Sequence, residues 1–431
     1  MWAGGARLYD ETWVDRPQGL LLVFRAILHV DGGSTTAIHL AAAAVGALVV
    51  AAVMALTYQS AGRIPAIAAG LLLATVGASP YIESFTLSGE LLASLPAVLG
   101  LLGFVVYLSD GRARWLVACG LLTGCAVLLK QSGFDGGLAA VAYLLIYRRR
   151  AGIAPAAIIV GCAALPVAVA AISAPSFSDW WYAMVTYRGQ GDSIANGTLA
   201  GRFADFRASV PALVHAFAPL VVLAALGMRR AHPVLRLWLL AAVIGVIGGG
   251  NFHNHYYVQL AAPLAVLAGI GVARAWEERA WAFGAAAIAL ALWSLGATVP
   301  LWFDSPREQA AQVFPDDPHL QRDGGVIDYV RAHTAPGTHI LVVWSAANVY
   351  YLSNRPPAIP YMWYRNIQVI PGALDEVHAA LASPDRPALV IEEDSPDSLD
   401  SSGETSRLLA EHYRRVATVN GVPIYGARST T

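Results

Sequence analysis

"TAIHLAAAAVGALVVAAVMALT", residues 36–57, runs for 22 residues without an Asp, Glu, Lys or Arg. As a helix rising about 1.5 Å per residue it crosses the roughly 30 Å hydrocarbon core of a bilayer. It is one of a series. Apolar stretches recur near 36–57, 64–80, 86–108, 115–130, 134–147, 152–174, 209–228, 236–250, 256–273 and 280–303. Several fall short of the ~20 residues that an upright span requires. The whole chain of 431 residues is 56% hydrophobic and 13% charged, about half the charge of an average soluble domain. That balance predicts an integral membrane protein of about ten spans. A net charge of −1 excludes a nucleic-acid footprint or an acidic tail. Cys119, Cys125 and Cys162 all fall inside apolar runs at spacings that fit no zinc motif, so a disulfide framework is not expected.

Of 28 basic residues, 27 are Arg, and the single Lys is Lys130 at the end of an apolar run. Arg63, Arg112 and Arg114, Arg148 to Arg150, Arg229, Arg230 and Arg236, and Arg274 and Arg279 occupy alternate short loops, while the loops at 80–86 and 250–255 carry none. The positive-inside rule then puts the Arg loops in the cytoplasm. The N-terminus, a long loop at 175–208 and everything after 303 are expected outside. An N-terminus outside without a leader is repaired by one further span upstream.

After Phe303 the pattern becomes that of a soluble α/β domain. A polar linker covers 304–322 and a helix is expected near 324–333. "HILVVW" and "PALVIEE" read as strands, with helices near 373–382 and 403–414. "VATVNGVPIYG" carries an Asn-Gly hairpin signal. The expected segments are therefore 1–35 (first outer loop and juxtamembrane segment), 36–303 (membrane core with outer loop 175–208) and 304–431 (linker and C-terminal extracytoplasmic α/β domain).

Ionisable groups at membrane depth are costly, so each is a candidate site residue. They gather on the expected outer side: Glu83 and Glu90, Lys130 and Asp135, and His253, His255, Tyr256 and Tyr257, together with Asp10, Glu11, Asp15 and Arg16. Each has a structural reading beside the functional one. Glu90 caps a helix N-terminus, Lys130 snorkels to headgroups, and the tyrosines are interfacial aromatics. Arg16-Pro17 anchors an amphipathic segment. His-x-His without a third ligand is a weak metal signal. Convergence on one face favours a site in which a carboxylate deprotonates an acceptor, while Arg and Lys hold a phosphate leaving group.

The order of these pieces resembles the GT-C superfamily of polytopic glycosyltransferases, in particular the family 39 protein O-mannosyltransferases and the aminoarabinose transferase. Tyr9-x-Glu11-x-Trp13-x-x-Arg16-Pro17-x-Gly19 resembles their first outer loop. "SGE" ending at Glu90, "GLLTGCAVLLKQSG", "HYYVQLAAPLAVL" and "GVIDYVRAHTAPGTHILVVWSAANVYYLSNRPPAIPY" resemble later motifs in the same order. The resemblance implies an inverting enzyme of a bacterial plasma membrane. It would move a hexose or pentose from a polyprenyl-phosphate donor to a lipid, glycan or protein acceptor, with a divalent cation as an optional aid. It assigns Glu90, Asp10, Glu11 and Asp15 to catalysis. It assigns Arg16, Lys130, Gln131, His253, His255, Tyr256 and Tyr9 to the donor phosphate and substrate, with Gln131 supporting Lys130. The family also carries a catalytic Asp after a first span, ahead of this loop. The expectation is a chain beginning inside the first outer loop of a longer architecture. The other readings are a base that is lost, or one replaced by Asp10, Glu11 or Asp15. Two rival functions remain: a transporter or flippase, which predicts polar groups through the membrane's depth, and a non-catalytic sugar-lipid-binding protein.

Overall fold

The computed structural model describes residues 5–190, 198–315, 317, 319–344 and 347–428. The chain divides into two compact units. One holds the helices of residues 16–173 and 198–303, and the other joins residues 5–15 and 174–190 to the described residues from Asp304 onward.

The helical unit opens with α1 (Gln18–Asp31), α2 (Thr35–Ala61), α3 (Arg63–Gly77), α4 (Gly89–Asp110) and α5 (Arg114–Leu129). It continues with α6 (Asp135–Tyr143) and α7 (Ile153–Ser173). Among the described residues, six helical stretches are long and apolar enough to cross a membrane, and Arg63–Gly77, Arg114–Leu129 and Pro233–Gly248 are shorter apolar helices. One of the six, Asp135–Ser173, is not a straight rod. Gly100 lies against Cys119 and Gly103 against Trp115, so α4 and α5 run antiparallel. Gly120 lies against Ile159 and Gly124 against Ala163, so α5 and α7 run parallel, whereas Gly137 of α6 lies against Thr123. The chain therefore reverses between α6 and α7, through residues 148–152. There Arg149 has φ +50, and Gly152 packs on the Leu144 carbonyl.

A short helix, α8 (Phe177–Trp181), falls in the other unit. Returning to the helical unit, α9 (Leu199–Gly227), α10 (Pro233–Gly248), α11 (Val258–Glu277) and α12 (Trp281–Thr298) complete the set. The expected outer loop 175–208 thus contains α8 and is shortened at its C-terminal end. Thr198 accepts a hydrogen bond from the Gly201 amide and starts α9 ten residues before the apolar stretch. Polar Arg202, Asp205 and Arg207 fall on those first turns and interrupt the apolar run, although Leu199, Phe203 and Phe206 keep helical spacing. Residues 191–197 lie outside the described residues. The core of this unit is α11, buried along most of its length by Ala, Val, Leu and Ile from Val258 to Ile270.

The second unit is built on a mixed four-stranded sheet. Its strands are β1 (Ile340–Val343), β2 (Leu389–Glu392), β3 (Tyr413–Val419) and β4 (Val422–Ala427), in the order β1-β2-β4-β3. β1 and β2 pair in parallel and the other pairs are antiparallel. The Asn420-Gly421 turn has φ of +50 and +85, the double positive φ of a type I′ hairpin. Around the sheet lie α13 (Pro306–Val313), α14 (His319–His333), α15 (Ala347–Ser353), α16 (Tyr364–Val369), α17 (Ala373–Ala382) and α18 (Glu404–His412). Val326, Val330, Ile340, Val342, Ile391 and Ile424 form the core between α14 and the strands.

The turn before α18 is held by Asp400, only 1% exposed. Its Oδ2 accepts from the Thr405 amide and hydroxyl, both at 2.7 Å, and its Oδ1 accepts from the Ser402 amide at 3.0 Å. Burial alone would raise this carboxyl, but the hydrogen bonds from Ser402 and Thr405 outweigh it and hold the group below its ordinary range. An acid with a depressed folded pKa contributes stability above its unfolded value of about 4 and loses it as pH falls further. Asp400→Asn is therefore expected to destabilise this unit by roughly 1–3 kcal/mol at neutral pH. It should also flatten the loss of stability below about pH 4. Thermal unfolding of both proteins across the acid range measures this.

Candidate active site

The polar groups of the helical unit meet where two helix ends are forced together. Ser88 caps α4 by accepting from the Leu91 amide at 3.2 Å, which puts Glu90 in the first turn. α5 ends at Lys130, whose backbone is extended. Between them is Gly89: a Cβ there would stand 2.9 Å from the Leu129 carbonyl and 3.6 Å from the Lys130 Cβ. Only the missing side chain lets the two ends approach this closely. The result is an ion pair, Lys130 Nζ to Glu90 Oε1 at 2.5 Å, with side chains 15% and 4% exposed.

Four further groups close round it. Lys130 Nζ stands over the Tyr256 ring, 4.3 Å from its centroid, a cation–π geometry. His255 sits between two carboxylates, its Nδ1 3.6 Å from Glu83 and its Nε2 4.0 Å from Glu90. His253 stacks on His255 at 5.7 Å between ring centroids. His255, Tyr256 and Tyr257 lie on a 3-10 turn (Asn254–Tyr257) leading into α11, and the Tyr257 hydroxyl anchors that turn to Ser209 at 2.5 Å.

Against the ion pair lies a small cleft whose polar lining is Glu90, Lys130, Ser132, Asp135, Trp238 and Gln259. Gln259 donates to the Ser132 carbonyl at 2.6 Å and Trp238 donates its indole N–H to Asp135 at 2.6 Å. These bonds fix the turn that carries Lys130 to α11 and α10. Ser94 and Ala262 line both this cleft and an apolar cavity of about 480 Å³ framed by α2, α3, α4 and α11. Leu73, Val76, Leu91 and Val258 contribute to its wall, with His39 and Ser84 among the polar residues.

Of the residues expected from sequence, the structure thus brings Glu90, Lys130, His253, His255 and Tyr256 together. Gln131 is next to Lys130, yet its amide nitrogen is buried with no hydrogen-bond partner among the described residues. Arg16 is half-buried at the bend before α1. Tyr9, Asp10, Glu11 and Asp15 belong to the other unit. There Tyr9 is buried, 2% exposed, with φ +70. Asp10 and Glu11 are half-exposed and paired with Arg7 at 2.7 and 3.2 Å. Hydrogen bonds from Arg7 hold the Glu11 carboxyl below its ordinary value. Asp15 is buried and bound to Arg188, 3.0 Å from its carboxylate and 2.8 Å from its carbonyl. Beside it Trp13 packs edge-on against Tyr187 at 4.6 Å, and Asn366 donates to the Tyr187 hydroxyl.

The sequence reading missed Trp238, Gln259 and Arg188. An amide in the first turn of an apolar helix was a signal for Gln259. Nothing in one sequence ties Arg188 to a residue 173 positions away. As for a metal, the donors here are few, since Lys130 already occupies Glu90 and leaves Glu83 with His255. Among the described residues, the group of three donors close enough to share an ion is His319, Asp323 and Glu393, not this cluster.

Removing Lys130 alone strands a buried carboxylate, a loss of roughly 3–5 kcal/mol. Lys130→Met is expected to lower stability by that order, whereas Lys130→Met with Glu90→Gln recovers most of it. Thermal unfolding of the purified single and double variants checks this. Equal destabilisation by both would show that the pair is not coupled.

The comparisons with known proteins agree on the architecture. The profile of the dolichyl-phosphate-mannose-protein mannosyltransferase family matches residues 15–174. The fold is similar to that of ArnT from Cupriavidus metallidurans bound to undecaprenyl phosphate, with a TM-score of 0.61 at 15% identity. That match covers 96% of this chain and 88% of ArnT. It is also similar to the Archaeoglobus fulgidus oligosaccharyltransferase in complex with Zn and sulfate, with a TM-score of 0.56 at 14% identity, covering 97% of this chain and 66% of that one. At the level of sequence alone, no curated protein matches the chain. The resemblance to GT-C glycosyltransferases is therefore carried by a family profile over residues 15–174 and by a shared fold over almost the whole chain.

Proposed function

We propose that the protein is an inverting glycosyltransferase that takes a sugar from a polyprenyl-phosphate donor at the outer face of the membrane. The observation that carries this reading is the buried Glu90–Lys130 pair beside an apolar cavity that shares Ser94 and Ala262 with it. A lipid phosphate needs a fixed cation at one end and an apolar channel for its tail, and the two stand side by side here. The related fold of ArnT bound to undecaprenyl phosphate supports the same ligand class.

In this reading the acceptor hydroxyl or amine attacks the sugar's anomeric carbon from the face opposite the phosphate. The carbon–oxygen bond to phosphate breaks, and its electron pair leaves with the polyprenyl phosphate. Lys130 holds the phosphate oxygens as their charge grows, and Tyr256 keeps the ammonium in place from below. Glu90 receives the acceptor proton, while Glu83 and His255 orient the sugar end of the donor. Arg16 is a second phosphate ligand. Asp15 is committed to Arg188, and Asp10 and Glu11 to Arg7, so Glu90 is the carboxylate that this reading uses. Tyr9 shapes the loop of Asp10 and Glu11 rather than touching substrate. The C-terminal sheet unit lies outside the membrane.

Full-length protein in lipid nanodiscs, titrated with undecaprenyl phosphate and with undecaprenol, tests this. Wild type is expected to prefer the phosphorylated lipid at least tenfold. Lys130→Met with Glu90→Gln, expected to keep the fold, should erase that preference. Equal binding of the two lipids by wild type would overturn the reading. A bulky Ala261→Trp in the cavity wall should weaken both lipids alike.

A further inference from the structure

We infer that His319, Asp323 and Glu393 form a binding site for one divalent transition-metal ion in the unit built on the β-sheet. The site belongs to a different unit from the Glu90–Lys130 pair and does not rest on the glycosyl-transfer reading. His319 and Asp323 are four residues apart, on one face of α14. Glu393 directly follows β2. One donor atom from each lies within 4.8 Å of the other two.

Two observations point to a ligand. First, Asp323 is 2% exposed and the Glu393 side chain 0%. Yet Asp323 Oδ1 and Glu393 Oε1 are buried with no hydrogen-bond partner among the described residues. The other oxygens are used: Asn348 donates to Asp323 Oδ2 at 2.5 Å and Arg322 Nε to Glu393 Oε2 at 3.0 Å. A buried carboxylate oxygen without a donor is costly, and two in one cluster call for a cation or a shared proton between them. Second, Glu393 and Asn348 come after the carboxyl ends of the parallel strands β2 and β1. That edge is where open α/β sheets take their ligands.

The donor set selects the ion. One imidazole and two carboxylates, without thiolate, suit Zn²⁺ or Mn²⁺ rather than a soft metal. In a tetrahedral site with bonds of about 2.0–2.2 Å the donors stand roughly 3.3 Å apart, so the side chains would draw in by about an ångström. Three protein donors leave a fourth position to water. Arg322 stays on Glu393 Oε2, which also meets His319 Nδ1 at 3.0 Å, and on the Glu393 carbonyl, at 2.8 Å from each. Its charge beside the site predicts modest affinity and ready exchange.

The test is direct. Full-length protein in detergent is stripped with chelator and titrated with Co²⁺ as a coloured substitute for Zn²⁺. Metal content is then measured after dialysis against Zn²⁺. Wild type should bind one equivalent at this site. His319→Ala and the nearly isosteric Asp323→Asn should each weaken it at least tenfold, and Glu83→Gln in the helical unit should leave it unchanged. Should His319→Ala fail to fold, Asp323→Asn carries the comparison. No stoichiometric metal on wild type, or an equivalent retained by Asp323→Asn, overturns the proposal and leaves a proton shared between the two carboxylates.

Discussion

A carboxylate and an ammonium buried together govern the helical unit. Each ion alone is too costly to take out of water, and together they persist only with close geometry and further polar support. Glu90 and Lys130 meet at 2.5 Å, and much of the neighbouring sequence follows from that requirement. Gly89 leaves room for the helix ends, Tyr256 supplies a π-face, and His255 stands between Glu83 and Glu90. Gln259 and Trp238 fix the turn that carries the lysine. Replacing such a pair with apolar residues often costs a protein nothing in stability. Its presence beside a cavity is better explained by a ligand's charge than by the fold.

The cavity makes the same case from the apolar side. α2, α3, α4 and α11 leave about 480 Å³ between them, walled chiefly by Ala, Val and Leu. Small residues such as Ala42, Ala43, Gly46 and Ala47 line it, so close packing of α2 gives way to space. A chain of isoprene units needs shape and apolar surface but no hydrogen bonds. A phosphate needs the opposite, and the two environments are separated here by Ser94 and Ala262.

Most helices were legible because apolar length is a local property: 64–80 became Arg63–Gly77 and 134–147 became Asp135 to Arg148. The hairpin at Asn420-Gly421 was legible for a similar reason, since its turn residues dictate their own backbone. The start of α9 was not, because Arg202, Asp205 and Arg207 break the run of hydropathy, although Leu199, Phe203 and Phe206 recur there at helical spacing. Within the site, Glu90, Lys130, His255 and Tyr256 stood out as polar residues at the ends of apolar runs. Their pairing did not, for it depends on a glycine at one helix end. The clustering of residues 5–15 with 174–190 and the C-terminal segment was equally invisible, resting on contacts such as Trp13 with Tyr187 and Asp15 with Arg188.

The central claim is that Lys130 receives the phosphate of a lipid-linked sugar donor. A structure of the full chain in a lipid nanodisc with undecaprenyl phosphate tests it most directly. The account predicts a phosphate oxygen about 2.7–3.2 Å from Lys130 Nζ, with the polyprenyl tail running into the cavity between α2, α3, α4 and α11. A phosphate bound elsewhere, with Lys130 and Glu90 still closed on one another, would contradict it.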